Sequence, residues 1–117
     1  MSSFDSPELR TALENIANGS YSAAFEALVP LAQAGNPKAQ CNLANLYHFG
    51  WGANADGKKA VELYTAVARQ NIKEEFLSGL AYRSLATIYT TGLPGIEPNP
   101  QWVVEFLTRA RELGFEM

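Results

Sequence analysis

The chain has 117 residues, the size of one small domain, and its content of 47% apolar and 18% charged residues is typical of a globular fold. A net charge of −3 argues against a nucleic-acid partner, because a protein that neutralises phosphates is expected to be basic. The single cysteine, Cys41, excludes a disulfide framework and favours a reducing compartment. The start of the chain shows no signal-peptide pattern and no stretch approaches 18 consecutive apolar residues, so we expect a cytoplasmic protein that makes no membrane contact.

The first third of the chain predicts two helices. A Ser-Pro-Glu start, which favours helix capping, places the first helix at about residues 7–18. Ser20 is expected to cap the second helix, which Gly35 ends. Pro30 inside this helix predicts a kink or a weak point, because proline removes a backbone hydrogen bond there.

The middle third predicts the most regular pair of helices, at about residues 37–49 and 57–70, joined by a glycine-containing turn. Gly50 is expected to end the first of them. Asp56 is expected to cap the second, since its side chain can accept a hydrogen bond from the first turn.

The last third predicts a long helix over about 74–91, a proline-rich loop and a final helix over about 100–113. The segment 72–80 is about six residues longer than the corresponding connection between the first and second pairs. This excess is expected either to add a turn to the long helix or to fit one particular partner.

Similar residue patterns recur at a spacing typical of repeat proteins. The segment Ala24–Leu28 matches 60–64 and 103–107, and Leu43–Tyr47 matches 85–89. These spacings of 36, 43 and 42 residues indicate helix pairs that bury their apolar faces against one another. We therefore predict an all-α fold, an α-solenoid of three antiparallel helix pairs stacked with a right-handed superhelical sense.

Residues 43–68 carry a resemblance to a known family. They read Leu-Ala-x-Leu-Tyr-x-x-Gly-x-Gly-Ala-x-x-Asp-x-x-Lys-Ala-x-x-Leu-Tyr-x-x-Val-Ala, which resembles a Sel-one-like repeat (SLR), a relative of the tetratricopeptide repeat (TPR). The sequence departs from the family pattern at four packing positions by modest changes of size: Ala44, Ala53, Leu63 and Val67. A second copy follows over 85–114, with Asn99 in place of the usual Asp.

The resemblance implies how the single domain of residues 1–117 is divided and what it does. It implies a degenerate capping pair at 7–36, the best repeat at 37–71 and an extended repeat at 74–114. It also implies a scaffolding role in protein–protein interaction and transfers no catalytic residue, since the family motif is structural.

Candidate partner-binding residues follow from the first helix of each pair, which usually lines the concave face of such arrays. A helical wheel places a polar stripe of the middle helix opposite its core face, and we expect this stripe and the corresponding one on the long helix to border one groove. These residues are Cys41, Asn45 and His48, with Arg83, Thr87 and Thr90. Trp51 is expected to be either a lid on Phe49 or an anchor for the partner, and Trp102 presents the same two possibilities.

Other functions are less favoured by the sequence. Cys41 and His48 are two metal ligands without a third, and seven residues on one helix separate them by about 10 Å, too far for a nucleophile and its base. We therefore expect no metal, no cofactor and no enzymatic activity. The leading hypothesis is an adaptor that binds a protein or peptide, and the acidic balance favours a basic partner. The alternatives are an immunity protein that neutralises a bacterial toxin, a small metal-binding protein or enzyme using Cys41 and His48, and a weak homodimer.

Overall fold

The computed structural model describes residues 4–115, which form six α-helices and no strand, so the predicted all-α fold is confirmed. Each helix packs against the next, and α3 also contacts α5, as expected when helix pairs are stacked. The right-handed sense of the stack stays a prediction. The helices are α1 (Pro7–Ala17), α2 (Tyr21–Gln33), α3 (Pro37–Phe49), α4 (Gly57–Ala68), α5 (Leu77–Thr91) and α6 (Pro100–Glu112).

The second and third helix pairs have equivalent hydrogen bonds at the turn between their two helices, as well as similar sequence patterns. The Asp56 N–H donates to the Tyr47 carbonyl oxygen over 3.0 Å, and the Asn99 N–H donates to the Tyr89 oxygen over 2.8 Å. The Asp56 and Asn99 side chains each accept a bond of 3.1 Å from the backbone three residues later, which caps α4 and α6 as predicted for Asp56. The repeat is therefore visible in the hydrogen bonds that set the turn between paired helices.

The start of the long helix was predicted wrongly. A 3₁₀ turn occupies Glu74–Phe76, and α5 begins only at Leu77. Glu75 and Phe76 have φ angles of 51° and 57°, in the left-handed region that interrupts a right-handed helix. The additional segment thus forms a separate turn, and Glu75 pairs with Lys38 of α3 over 2.6 Å.

Two smaller predictions were also wrong. The fourth helix ends at Ala68 rather than near residue 70, and the Ser20 side chain makes no capping bond to α2. Pro30 is accommodated inside α2, which continues to Gln33.

The core consists of two clusters that α3 joins. One lies between α1, α2 and α3 around Leu9, Leu28 and Leu46, and the other lies between α3, α4, α5 and α6 around Tyr64 and Leu85. Small residues contribute to this core: Ala39, Ala44 and Ala60 are each 0% exposed. Among residues 4–115, no helix has the length and apolar content needed to cross a membrane.

Candidate functional site

A buried hydroxyl ties two of the predicted binding residues to the core. Tyr64 of α4, which is 1% exposed, donates a hydrogen bond to the Asn45 side-chain oxygen. His48 Nδ1 lies 3.2 Å from the Tyr64 hydroxyl oxygen. Burial raises the pKa of Tyr64 and lowers the pKa of His48. Asn45 and His48 are therefore partly buried members of a contact between α3 and α4.

Cys41 was predicted wrongly, since the sequence pattern put it on an exposed stripe. Its side chain is 8% exposed and packs in the cluster shared by α3, α4 and α5. The helical wheel assumed one covered face, whereas α3 packs against α2, α4 and α5 and so is covered on more than one side. Burial raises the pKa of the Cys41 thiol to about 12, which does not favour its use as a nucleophile or a metal ligand. Residues 4–115 bring no three His, Cys, Asp or Glu side chains together as a metal site.

The predicted stripe on α5 lies at the surface. Arg83, Thr87 and Thr90 are exposed, and the two threonine hydroxyls donate to carbonyl oxygens of their own helix over 3.1 and 2.8 Å. At a spacing of 42 residues, these three positions correspond to Cys41, Asn45 and His48. The two stripes therefore occupy equivalent places in successive repeats. On α3 the neighbouring helices bury Cys41 and partly bury Asn45 and His48, whereas the stripe on α5 is exposed.

Trp51 belongs to a stack of four aromatic rings, which we call the aromatic stack and which runs Tyr21–Trp51–Phe49–His48. The Trp51 ring centroid lies 5.2 Å from that of Tyr21 and 4.9 Å from that of Phe49, and the Phe49 and His48 centroids are 4.3 Å apart. Trp51 stacks on Phe49, which is the contact that the lid interpretation requires. Even so, Trp51 is still 38% exposed and Phe49 53% exposed, which leaves a large aromatic surface in contact with solvent.

Two grooves lie on the side of the molecule formed by the second helices of the pairs. The first groove, of about 370 Å³, runs between α2 and α4 over α3, and the second, of about 420 Å³, runs between α4 and α6 over α5. Of the eight candidate residues, Trp102 is the one that lines either groove, and it lies in the second. Its ring stacks on Phe106 at 5.4 Å and is 47% exposed.

Neither groove was predicted from the sequence, because the groove was expected on the first helices of the pairs. Trp102 of α6 was named only as a single lid or anchor residue. The repeat alignment already relates the two grooves, because their lining residues recur at the spacings of 36, 42 and 43 residues that define the repeats. Reading that alignment for exposed positions as well as core positions would have found them.

No family model and no curated protein sequence matches this chain. The fold alone therefore defines the class of protein. It is a stack of repeat-like helix pairs that carries an exposed aromatic stack and two grooves.

Proposed function

We propose that this protein is a non-enzymatic, cytoplasmic scaffold of the Sel-one-like type that binds a protein or peptide, with Trp51 and Phe49 as the anchors. The observation that carries the proposal is the aromatic stack, which exposes two large rings: Phe49 at the end of α3 and Trp51 on the turn that follows. Aromatic side chains of this kind dominate the binding energy of many interfaces.

The turn that carries Trp51 is held firmly against α2. A Cβ at Gly52 would lie 2.9 Å from the Tyr21 carbonyl oxygen, so the backbone of the turn approaches the start of α2 as closely as a glycine allows. The Trp51 N–H also donates to the Leu46 carbonyl oxygen over 2.9 Å. A supported ring loses little conformational freedom on binding, which increases its contribution to affinity.

The roles of the polar residues change accordingly. Asn45 and His48 bond to Tyr64, and the His48 ring stacks on Phe49. In this proposal they position the aromatic stack, while the exposed rings contact the partner.

The test is quantitative capture of partners from the native cell with the wild-type chain, Trp51→Ala and Leu80→Ala. Leu80 is 40% exposed and lies on α5, so it matches Trp51 in exposure and is distant in sequence. We expect a partner that binds the wild type and Leu80→Ala and is lost by Trp51→Ala. With the purified partner, Trp51→Ala should weaken binding by about tenfold or more, which is at least ~1.4 kcal/mol.

Two results would contradict the proposal. Unchanged affinity in a folded Trp51→Ala chain would leave Trp51 as a lid on Phe49 only. Failure of the wild type to capture any protein above the level of an unrelated control protein would remove the scaffold function itself.

A further inference from the structure

The side chains that line the two grooves can be compared position by position, because the grooves occupy equivalent places in successive repeats. All ten residues that line the first groove have an equivalent that lines the second, at spacings of 36, 42 or 43 residues. Four of these positions keep the same residue type: Ala32 and Ala68, Leu43 and Leu85, Tyr47 and Tyr89, and Glu62 and Glu105. The helical framework and part of the lining are therefore shared, and the other side chains distinguish the two grooves.

The second groove has additional aromatic rings. Tyr82, Trp102 and Phe106 stand where the first groove has Gln, Lys and Leu at positions 40, 59 and 63. The Phe106 ring centroid lies 5.4 Å from that of Trp102, 6.0 Å from that of Tyr82 and 5.8 Å from that of Tyr89. Because the first groove is built on the same framework with smaller or polar residues, the repeat does not require these rings.

One end of the second groove is basic. Arg69 and Arg109 stand where the first groove has Gln33 and an alanine. Arg109 Nε pairs with Glu105 over 2.9 Å, whereas Arg69 takes part in no ion pair within residues 4–115. Cations do favour helix C-terminal ends, yet the uncharged equivalents in the first groove show that the fold does not need them there. This end therefore attracts a carboxylate, although the chain as a whole is acidic.

The dimensions of the second groove suit a helix. One wall runs along α4 from Val61 to Arg69, the residue that follows the end of the helix, and the other runs along α6 from Trp102 to Arg109. Each is about 10–12 Å long at 1.5 Å per residue. This length corresponds to about two helical turns. Two helical walls over an apolar floor form the kind of groove that accepts the apolar face of a third helix.

We propose that the second groove binds an amphipathic helix of a partner protein, which places apolar residues one turn apart against Trp102 and Phe106 and a carboxylate against Arg69. This inference rests on the proposed function, since it treats the chain as a protein-binding scaffold. It adds a second surface, separate from the aromatic stack, and states the chemistry of the segment that the surface recognises.

The experiment selects binders to the intact chain from a displayed library of randomised 16-residue peptides. We expect the enriched peptides to share two apolar residues at a spacing of four, with Asp or Glu about one to two turns away. Synthetic copies should gain helical circular dichroism on binding. A helix is the expected form because an extended peptide would space its contacts differently.

Matched variants locate the binding. Trp102→Lys gives the second groove the residue that the first has at this position, and we expect it to weaken peptide binding at least tenfold. Lys59→Ala, at the equivalent position in the first groove, should change affinity less than twofold. Arg69→Glu should weaken binding at least fivefold, and a peptide whose acidic residues are replaced by Lys should recover binding to that variant. Circular dichroism and thermal unfolding confirm that each variant is folded.

Several results would overturn the inference. They are enriched peptides without the helical spacing, equal affinity for Trp102→Lys, no effect of Arg69→Glu, or no peptide enriched on the wild type. If the peptides are lost by Trp51→Ala and retained by Trp102→Lys, the proposed function stands and this site does not. The same conclusion follows if no peptide is enriched while capture from the native cell still depends on Trp51. Failure of both experiments rejects both proposals.

Discussion

Gly57 and Pro94 join the second and third helix pairs directly: the Gly57 N–H donates to the Pro94 carbonyl oxygen over 2.8 Å. A Cβ at Gly57 would lie 2.7 Å from that oxygen and 2.7 Å from Ile96 Cγ1. The proline-rich loop of the third pair therefore packs onto the first turn of α4. A residue without a side chain at this position makes the close contact possible.

Gly57→Ala should lower the free energy of unfolding by about 1–3 kcal/mol, because the added methyl group forces the loop away from α4. Urea denaturation followed by circular dichroism measures the change. Glu62→Ala is the control, since this side chain is exposed farther along the same helix and its loss should cost no more than ~0.5 kcal/mol. Alanine is the better helix former, so a Gly57→Ala chain that is more stable than the wild type would show that the loop moves aside freely.

Ser78 stabilises the segment between α4 and α5, which is the segment that the sequence predicts least well. Its hydroxyl is fully buried, accepts from the Ile72 N–H over 2.6 Å and donates to the Val67 carbonyl oxygen over 2.7 Å. Ser78→Ala leaves both backbone groups without this partner and should lower the free energy of unfolding by about 1–3 kcal/mol. It should also speed hydrogen exchange of the Ile72 amide.

Thr87→Ala is the control for Ser78→Ala. The Thr87 hydroxyl also donates to a backbone carbonyl oxygen, over 3.1 Å, but at an exposed position where water can replace it. Its loss should change stability by no more than ~0.5 kcal/mol. Equal losses in the two variants would contradict the argument that burial determines the cost.

The sequence predicts an element well where its ends have local causes. The helix expected over 37–49 is found at Pro37–Phe49, because Asn36 accepts a capping bond from the Ala39 N–H and Gly50 adopts a left-handed φ of 70°. The start of α5 has no such signal. Glu75 and Phe76 adopt left-handed φ angles there, which their residue types do not indicate and which only the packing of the whole chain determines.

Residues of the candidate site also differ in whether local sequence or the packing of the whole chain determines their environment. Trp51 could be singled out because a large ring between two glycines is not needed by a turn, and the structure leaves it partly exposed. The environment of Cys41 could not be predicted, because it depends on α4 and α5, which cover a side of α3 that the helical wheel treats as open. A repeat protein buries its internal helices on several sides, so a wheel drawn for one helix underestimates burial in the middle of the stack.

The buried position of Cys41 predicts slow thiol chemistry. Burial raises the pKa of this thiol to about 12, so at pH 8 the reactive thiolate is scarce as well as shielded. We expect the folded chain to react with a thiol-specific disulfide reagent at least about a hundredfold more slowly than the urea-unfolded chain. A rate that increases with low concentrations of urea would report local opening of the contact between α3 and its neighbours.

The repeat provides the control for this measurement. Arg83 is the exposed equivalent of Cys41 on α5, so Arg83→Cys in a Cys41→Ser chain places a thiol at the same repeat position without the cover. This thiol should react at nearly the rate found in the unfolded chain. Equal rates for Cys41 and the cysteine at position 83 would contradict the burial of Cys41.

His48 should make stability depend on pH just below neutrality. Burial lowers the pKa of His48 below its usual 6.5, so the unfolded chain takes up a proton at a higher pH than the folded chain does. Where the unfolded state binds more protons, the free energy of unfolding falls as the pH is lowered. The loss begins as the pH falls through about 6.5 and is complete below the pKa of the folded state. Histidine is the only side-chain type whose ordinary pKa lies between 5 and 8, and His48 is the sole histidine, so we expect this residue to dominate the pH dependence between pH 7 and 5.

His48→Phe tests this dependence, because it keeps a ring to stack on Phe49 and removes the titrating group. It also removes the contact of Nδ1 with the Tyr64 hydroxyl oxygen, so its stability is expected to be lower than that of the wild type at pH 7. The comparison therefore uses slopes: urea denaturation every half unit from pH 7 to 5 should give a falling free energy of unfolding for the wild type and a nearly flat one for His48→Phe. An NMR titration of the wild-type imidazole should give a pKa below 6.5. Parallel slopes in the two chains, or an imidazole that titrates above 6.5, would show that burial does not disfavour the charged ring.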